Sequence, residues 1–205
     1  MFDSGISAAD MISELQSEID VAIPISNKAY VDWLNSLEQL LYTEIIKEQK
    51  QITLSSVTDG IIAMSAINNN LPSDEEDIRF EDIYTIYMDK YQLIKSNLTS
   101  GTIFLNTWYK KENNVGFGFF KIPEKIDIIY FVKPKLKTVS ENGVISGGNV
   151  MVPVEFIDLV KSKIRGESYK TANEDTIAAK WLNDYNILLE NFKAWVESKA
   201  AGFGM

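Results

Sequence analysis

"VPVEFIDLVKSKIRGESYK", residues 152–170, decides how this chain is read. Pro153 ends a strand-like stretch and suits a first helical turn, where its missing N–H costs nothing. Phe156, Leu159, Val160 and Ile164 then recur on one helical face. After a break around Ala172–Asn173 a second helix places Ile177, Trp181, Tyr185, Leu188, Phe192 and Trp195 at alternating four- and three-residue steps. Ala178, Leu182, Leu189 and Val196 widen that face beyond what one partner helix needs. Part of it is expected to meet other helices of the chain, and part another subunit.

The same pattern occurs at the other end. Ser7 caps a first helix and Asp10 completes a capping-box pattern, with Ile6 and Met11 placed as a hydrophobic staple. Ala8, Ile12, Leu15 and Ile19 form its stripe, and Pro24 forbids continuation far beyond. A second helix runs from Ser26 to about Glu48. Its stripe is Tyr30, Trp33, Leu34, Leu37, Leu41 and Ile45, with Asp32, Glu38 and Glu44 outside it. These stripes make Trp33, Leu37, Leu41, Phe156, Trp181, Tyr185 and Phe192 the expected helical core.

Between the helical ends the period changes to two. "QITLSSV" alternates as a half-buried strand, and "INNNLPSDEED" reads as loop. "EDIYTIYMDKYQLIKS" suits a hairpin turning at Met88–Lys90, because β-branched and aromatic residues dominate; a helix is the rival reading. Asn113-Asn114 can supply the positive-φ turn joining "TWYKK" to "VGFGFF". "IDIIYFV" is a further strand ending before Pro134, and "SENGVISGG" reads as a flexible link. The expected fold is α+β: an antiparallel four-helix bundle formed by both chain ends, with a small antiparallel β module inserted. Its segments are 1–49 (bundle, first half), 50–150 (β module) and 151–205 (bundle, second half with a C-terminal docking tail).

Composition narrows function by exclusion. The 205 residues, 45% hydrophobic and 24% charged, suffice for a packed core. A net charge of −9, from 20 basic and 29 acidic residues, argues against general nucleic-acid binding. The first hundred residues are acidic and residues 101–150 basic, so one copy could dock against another. Without cysteine there are no disulfides or zinc–thiolate sites, and without histidine the commonest metal ligand and neutral-pH base are missing. The start "MFDSGISAADM" does not read as a signal peptide, and "IDIIYFV" is too short to span a bilayer. The expectation is an intracellular chain with no membrane partner, in which the sequon at Asn97 is chance.

Individual motifs carry little chemistry. "GFGFF" lacks the third glycine and the βαβ setting of a dinucleotide site, so its glycines read as relief of crowding in a hairpin. "SDEED", residues 73–77, lacks the spacing of a calcium loop and reads as a solvated acidic loop. Glu81 with Asp82, or Glu124 with Asp127, could pair for acid–base work, but no nucleophile accompanies them. Lysines of residues 110–137 interleaved with Trp108, Tyr109, Phe117, Phe119 and Phe120 could form a nucleic-acid face, although an amphipathic sheet gives the same pattern. The residues therefore suggest no enzyme and no cofactor.

The order of these features resembles the head–tail connector (adaptor, or neck) proteins of long-tailed bacteriophages. The similar stretches are "ISELQSEID…ISNKAYVDWLNSLEQLLYTEII", "DIYTIYMDKYQLI", "NNVGFGFFKIPEKIDIIYFVKPK", "VPVEFIDLV" and "AAKWLNDYNILLENF", covering most of residues 7–196. The resemblance implies a non-enzymatic virion structural protein, made in the host cytoplasm and located in the neck. It implies a homo-oligomeric ring, usually of twelve copies, beneath the portal, which prolongs the DNA channel towards a stopper or tail-completion protein. DNA would pass through the lumen without specific binding. By the same resemblance Trp195, Phe203 and Met205 would dock on the portal, with Gly202 and Gly204 for adaptability. The acidic loop Asp74, Glu75, Glu76 and Asp77 would suit a channel wall that repels DNA. Other classes remain open: a stopper or baseplate subunit, or a small cytoplasmic protein-binding module.

Overall fold

The computed structural model describes residues 2–55, 60–73, 75–96, 105–118 and 124–202, with the side chains of 201–202 left aside. The chain is mixed α/β, with five helices and mainly antiparallel sheets among the described residues. It divides into two compact units, Met1–Ile46 with Pro134–Met205, and Lys47–Lys133.

The first unit holds α1 (Ala8–Glu18), α2 (Asn27–Leu40), α4 (Ile157–Thr171) and α5 (Asp175–Gly202). Ser7 Oγ accepts a hydrogen bond from the Asp10 N–H at 3.0 Å and donates to the Asp10 carboxylate, the cap that the pattern predicts. Ser26 caps α2 in the same way, accepting from Ala29 N–H. The second helical run covers its whole expected stripe, ending at Ile46, but only its first part is α-helix. At Leu41 it widens into a π turn, Leu41–Ile46, which carries Leu41 and Tyr42 into the core, and Lys47 at φ 48° ends it. Pro153 stands just ahead of a single 3₁₀ turn, Val154–Phe156, rather than inside α4.

The break after Thr171 lies where the sequence places it. Asn173 takes φ 63°, its N–H donates to Lys170 O, and Glu174 N–H donates to Tyr169 O. This pair of bonds closes the helix end and turns the chain into α5. Gly166 lets the two helices approach, since a Cβ there would lie 2.6 Å from Leu182 Cδ2.

The core of this unit gathers Met11, Ile12 and Leu15 from α1, Leu34, Leu37 and Leu41 from the second helix, Leu159, Val160 and Ile164 from α4, and Tyr185 and Phe192 from α5. Each such side chain, fully buried, contributes roughly 1.5–3 kcal/mol. Trp33 and Phe156 pack against it half-buried. Trp181 lies half-exposed beneath the Arg165 guanidinium, 4.7 Å from its ring centre, rather than in this core.

The inserted unit contains two four-stranded sheets. In the first, β1 (Gln49–Leu54), β3 (Ile83–Met88), β4 (Tyr91–Gln92) and β8 (Ile126–Phe131) take the order β1-β8-β3-β4, all antiparallel. β8 alternates strictly, with Ile126, Ile128 and Tyr130 buried. In the second sheet the order is β2 (Ile61–Ala63), β7 (Asn114–Gly118), β6 (Thr107–Lys111) and β5 (Ile94–Ser96), with β5 parallel to β6. A short helix, α3 (Met64–Asn68), runs into the first two residues of the stretch read as loop and buries Ile67.

Strands replace the helical alternative over 83–92, as β-branched content predicts. "IDIIYFV" does not extend the "TWYKK" hairpin; its strand is the centre of the other sheet. The hairpin turn between β6 and β7 sits one residue earlier than the Asn113-Asn114 reading, with Glu112 at φ 56° and Asn114 already paired to Lys111. The insertion also ends earlier than residue 150. Pro134–Val150 cluster with the helical unit, where "SENGVISGG" contributes to a small hairpin of β9 (Thr138–Val139) and β10 (Ile145–Ser146).

Candidate functional site

The helical unit is fastened by polar groups that the apolar stripes do not reveal. Glu38, assigned to the polar side of α2, is 1% exposed. Its carboxylate is ion-paired with Lys137, which is equally buried, and Oε1 accepts the Met151 N–H at 2.7 Å. Burial pushes the Glu38 carboxyl above its ordinary value, outweighing the pull of Lys137 and the Met151 N–H. Asn35, one residue short of a turn away, holds the Lys137 backbone with both ends of its amide, each at 2.9 Å. Gln39 and Asn27 donate to the carbonyls of Pro134 and Gly143. The polar side of α2 thus grips residues 134–143, which lead the chain towards α4.

The far end of α5 carries the next group. Phe192 and Trp195 stack 6.0 Å apart, and Phe156 meets both edge-on, at 4.9 and 5.4 Å. Phe2 covers Trp195 at 5.4 Å, and its N–H donates to the Tyr42 hydroxyl at 2.8 Å. Residues 4–8 are held by bonds to residues 148–150. Trp195 therefore stands half-buried in an aromatic cluster of its own unit. Phe203 and Met205, the other expected docking residues, lie outside the described residues with Gly204, while Ala200–Gly202 continue α5.

The expected acidic loop does not present one uniform face. Glu75 is buried: Lys50 Nζ reaches Oε1 at 2.6 Å and the Tyr130 hydroxyl donates to Oε2 at 2.8 Å. A carboxylate enclosed in this way fastens β1 to β8 and cannot line a channel. Glu76 is half-buried, its N–H bonded to Lys133 O, and Asp77 is exposed; Asp74 lies outside the described residues.

Of the neighbouring carboxylates considered for acid–base chemistry, Glu81, Asp82 and Asp127 each bond a lysine, and the Glu124 N–H donates to Asp89. Glu81 bonds Lys110 at 2.6 Å, which holds its carboxyl below the usual range. Asp82 bonds Lys133 at 2.7 Å and accepts the Arg79 N–H. At Asp127, burial raises the carboxyl but is outweighed by bonds from Thr53 and Lys125, so it too stays low. Lysine partners thus favour the charged form of Glu81 and Asp127 over proton transfer. Among the described residues, no group of three or more carboxylates could hold a metal ion, and no helix is long and apolar enough to cross a membrane. Phe119 and Phe120 of the interleaved basic stretch lie outside the described residues, Trp108 and Phe117 are buried, and Tyr109 is half-buried.

No protein-family model matches the chain, and no curated protein sequence does.

Proposed function

We propose that the chain is a ring-forming head–tail connector, a non-enzymatic structural protein of a phage virion that binds beneath the portal and extends the DNA channel. The reading rests first on the ordered resemblance of its segments. The observation that supports it best is the length of α5. At 1.5 Å per residue its 28 residues run about 42 Å, against about 22 Å for the 15 of α4. The surplus carries the chain past Phe156, at the start of its partner helix, while Ile177 and Ile187 leave exposed apolar surface on the part beside α4. Its end beyond Val196, the last α5 residue packed on that core, would supply surface for a neighbour and lead into the expected docking tail.

On this reading α1, α2, α4 and α5 act as an antiparallel four-helix bundle, and the inserted unit supplies contacts around a ring of about twelve copies. Mixing the purified protein with the portal of the same virion should decorate portal rings seen by electron microscopy. Removing residues 200–205 should abolish decoration while shortening α5 by only its last three residues, Ala200–Gly202. A chain that stays monomeric and never decorates the portal would overturn the proposal, as would tight, salt-sensitive DNA binding by the protein alone.

A further inference from the structure

The inserted unit contains a cleft of about 640 Å³ that the connector reading leaves without a role. Its size falls within the range of ligand-binding pockets. One wall is residues 77–81, another the β6–β7 turn, and the third the end of β2 and the start of α3. The walls are fixed by bonds that leave much of the polar lining unused. Asn68 holds both the N–H and the carbonyl of Ile78, at 3.2 and 3.3 Å, and Met64 N–H donates to Asn113 O. The Arg79 guanidinium, the Asp77 and Glu112 carboxylates and the Asn113 and Asn114 amides line the cleft without any side-chain hydrogen bond or ion pair among the described residues.

The cleft lies at the end of a sheet edge that no described strand covers. β2 is the outer strand of its sheet and pairs only with β7 among the described residues. Phe117 N–H donates to Gly60 O and Met64 N–H to Asn113 O, so Gly60, Ile62 and Met64 face β7. By antiparallel alternation, the N–H groups of Ile61 and Ala63 and the carbonyl of Ile61 point the other way. An extended chain added along that edge would run its side chains into the cleft.

The lining decides between ligand classes. Three carboxylates (Asp77, Glu81, Glu112) against two cations (Arg79, Lys110) disfavour a polyphosphate. Phe80 is almost fully buried and lies under the ammonium groups of Lys95 and Lys110, so it offers no open stacking surface for a sugar or base. Groups of both signs and amides with no side-chain partner among the described residues match a polypeptide bearing both charges. We infer that the β2 edge and this cleft bind a short extended peptide segment of another protein, with an acidic side chain on Arg79 and a basic one on Asp77 or Glu112.

The full-length protein, labelled with ¹⁵N, would be titrated with the capped hexapeptide VEVKVE, with the uncharged VQVQVQ and with tripolyphosphate. VEVKVE should shift the amide signals of Ile61, Ala63, Arg79 and Asn114 saturably. Arg79→Gln and Glu112→Gln, both at exposed positions, should each weaken binding about tenfold, while the signals of the helical unit keep their positions. VQVQVQ should bind more weakly by a similar factor. No saturable shift with VEVKVE, or binding that neither substitution nor the loss of charge alters, overturns the inference. Tighter binding of tripolyphosphate at the same signals overturns it too, by making the cleft an anion site. None of these outcomes depends on whether the chain assembles under a portal.

Discussion

Glu38 sits four residues after Leu34 and three before Leu41, so its side chain enters the core although its type belongs in solvent. Enclosing a carboxylate costs several kcal/mol, and the Lys137 ammonium with the Met151 N–H offsets that cost only while all partners are present. Glu38→Ala should therefore destabilise the protein by about 3–5 kcal/mol in urea unfolding, because it strands a buried ammonium. Glu38→Gln combined with Lys137→Met keeps an acceptor for Met151 and should recover most of that loss. The raised carboxyl also sets a pH dependence. Above the ordinary value of 4.5 the unfolded chain has released a proton that the folded chain still holds, so this group's contribution is full below 4.5 and declines as pH rises through the folded value. Stability measured against Glu38→Gln should show wild type losing ground over that window; a flat difference would contradict the assignment. The spacing 34, 38, 41 was the available signal for Glu38. Nothing local points to Lys137, which arrives from the far side of the insertion.

At the scale of elements, the contact between α4 and α5 is the most sensitive to size. An alanine at Gly166 gains about 1 kcal/mol of helix propensity, but its Cβ would meet Leu182 Cδ2 and Cγ at 2.6 and 2.7 Å, with the Leu182 backbone nitrogen at 3.4 Å behind them. Overpacking of that kind costs about 1–3 kcal/mol, so Gly166→Ala should lower stability on balance and Gly166→Val should lower it further. Thermal unfolding of the pair checks the order. Helix starts and the α4–α5 break were legible because caps and turn residues act within four positions of each other, as Ser7, Ser26 and Asn173 do. Strand existence was legible too, through alternation. Strand partnership was not: β8 pairs with β1 and β3, a choice made by long-range burial of Ile126, Ile128 and Tyr130. The turn at Glu112 shows the same limit, since asparagine is the more tolerant residue for positive φ and yet the register of β6 with β7 moves the strain one place earlier.

Across the whole molecule, the insertion begins and ends at adjacent points. Val132 N–H donates to Glu48 O at 2.9 Å, and Gln49 pairs with Phe131 at the start of the β1–β8 ladder. A short glycine–serine link can therefore replace residues 47–133 without stretching the helical unit. That shortened chain should retain its helical circular dichroism and unfold cooperatively, whereas a molten chain would show that the helical core needs the insertion. The boundary at Lys133 was missed in the sequence because Pro134–Val150 have no helical period. They belong to the helical unit through Asn35, Glu38 and Gln39, polar contacts that a hydrophobic pattern does not record.

The adjacency of those two entry points also determines how the molecule responds to load. Phe2 and Gly202 both belong to the helical unit, so tension applied between them bypasses Lys47–Lys133 until that unit ruptures. The pull then reaches β1 and β8 at one end of their ladder, where hydrogen bonds open singly instead of shearing together. Stretching by optical tweezers should record one higher-force rupture followed by a low-force release of about 300 Å of chain.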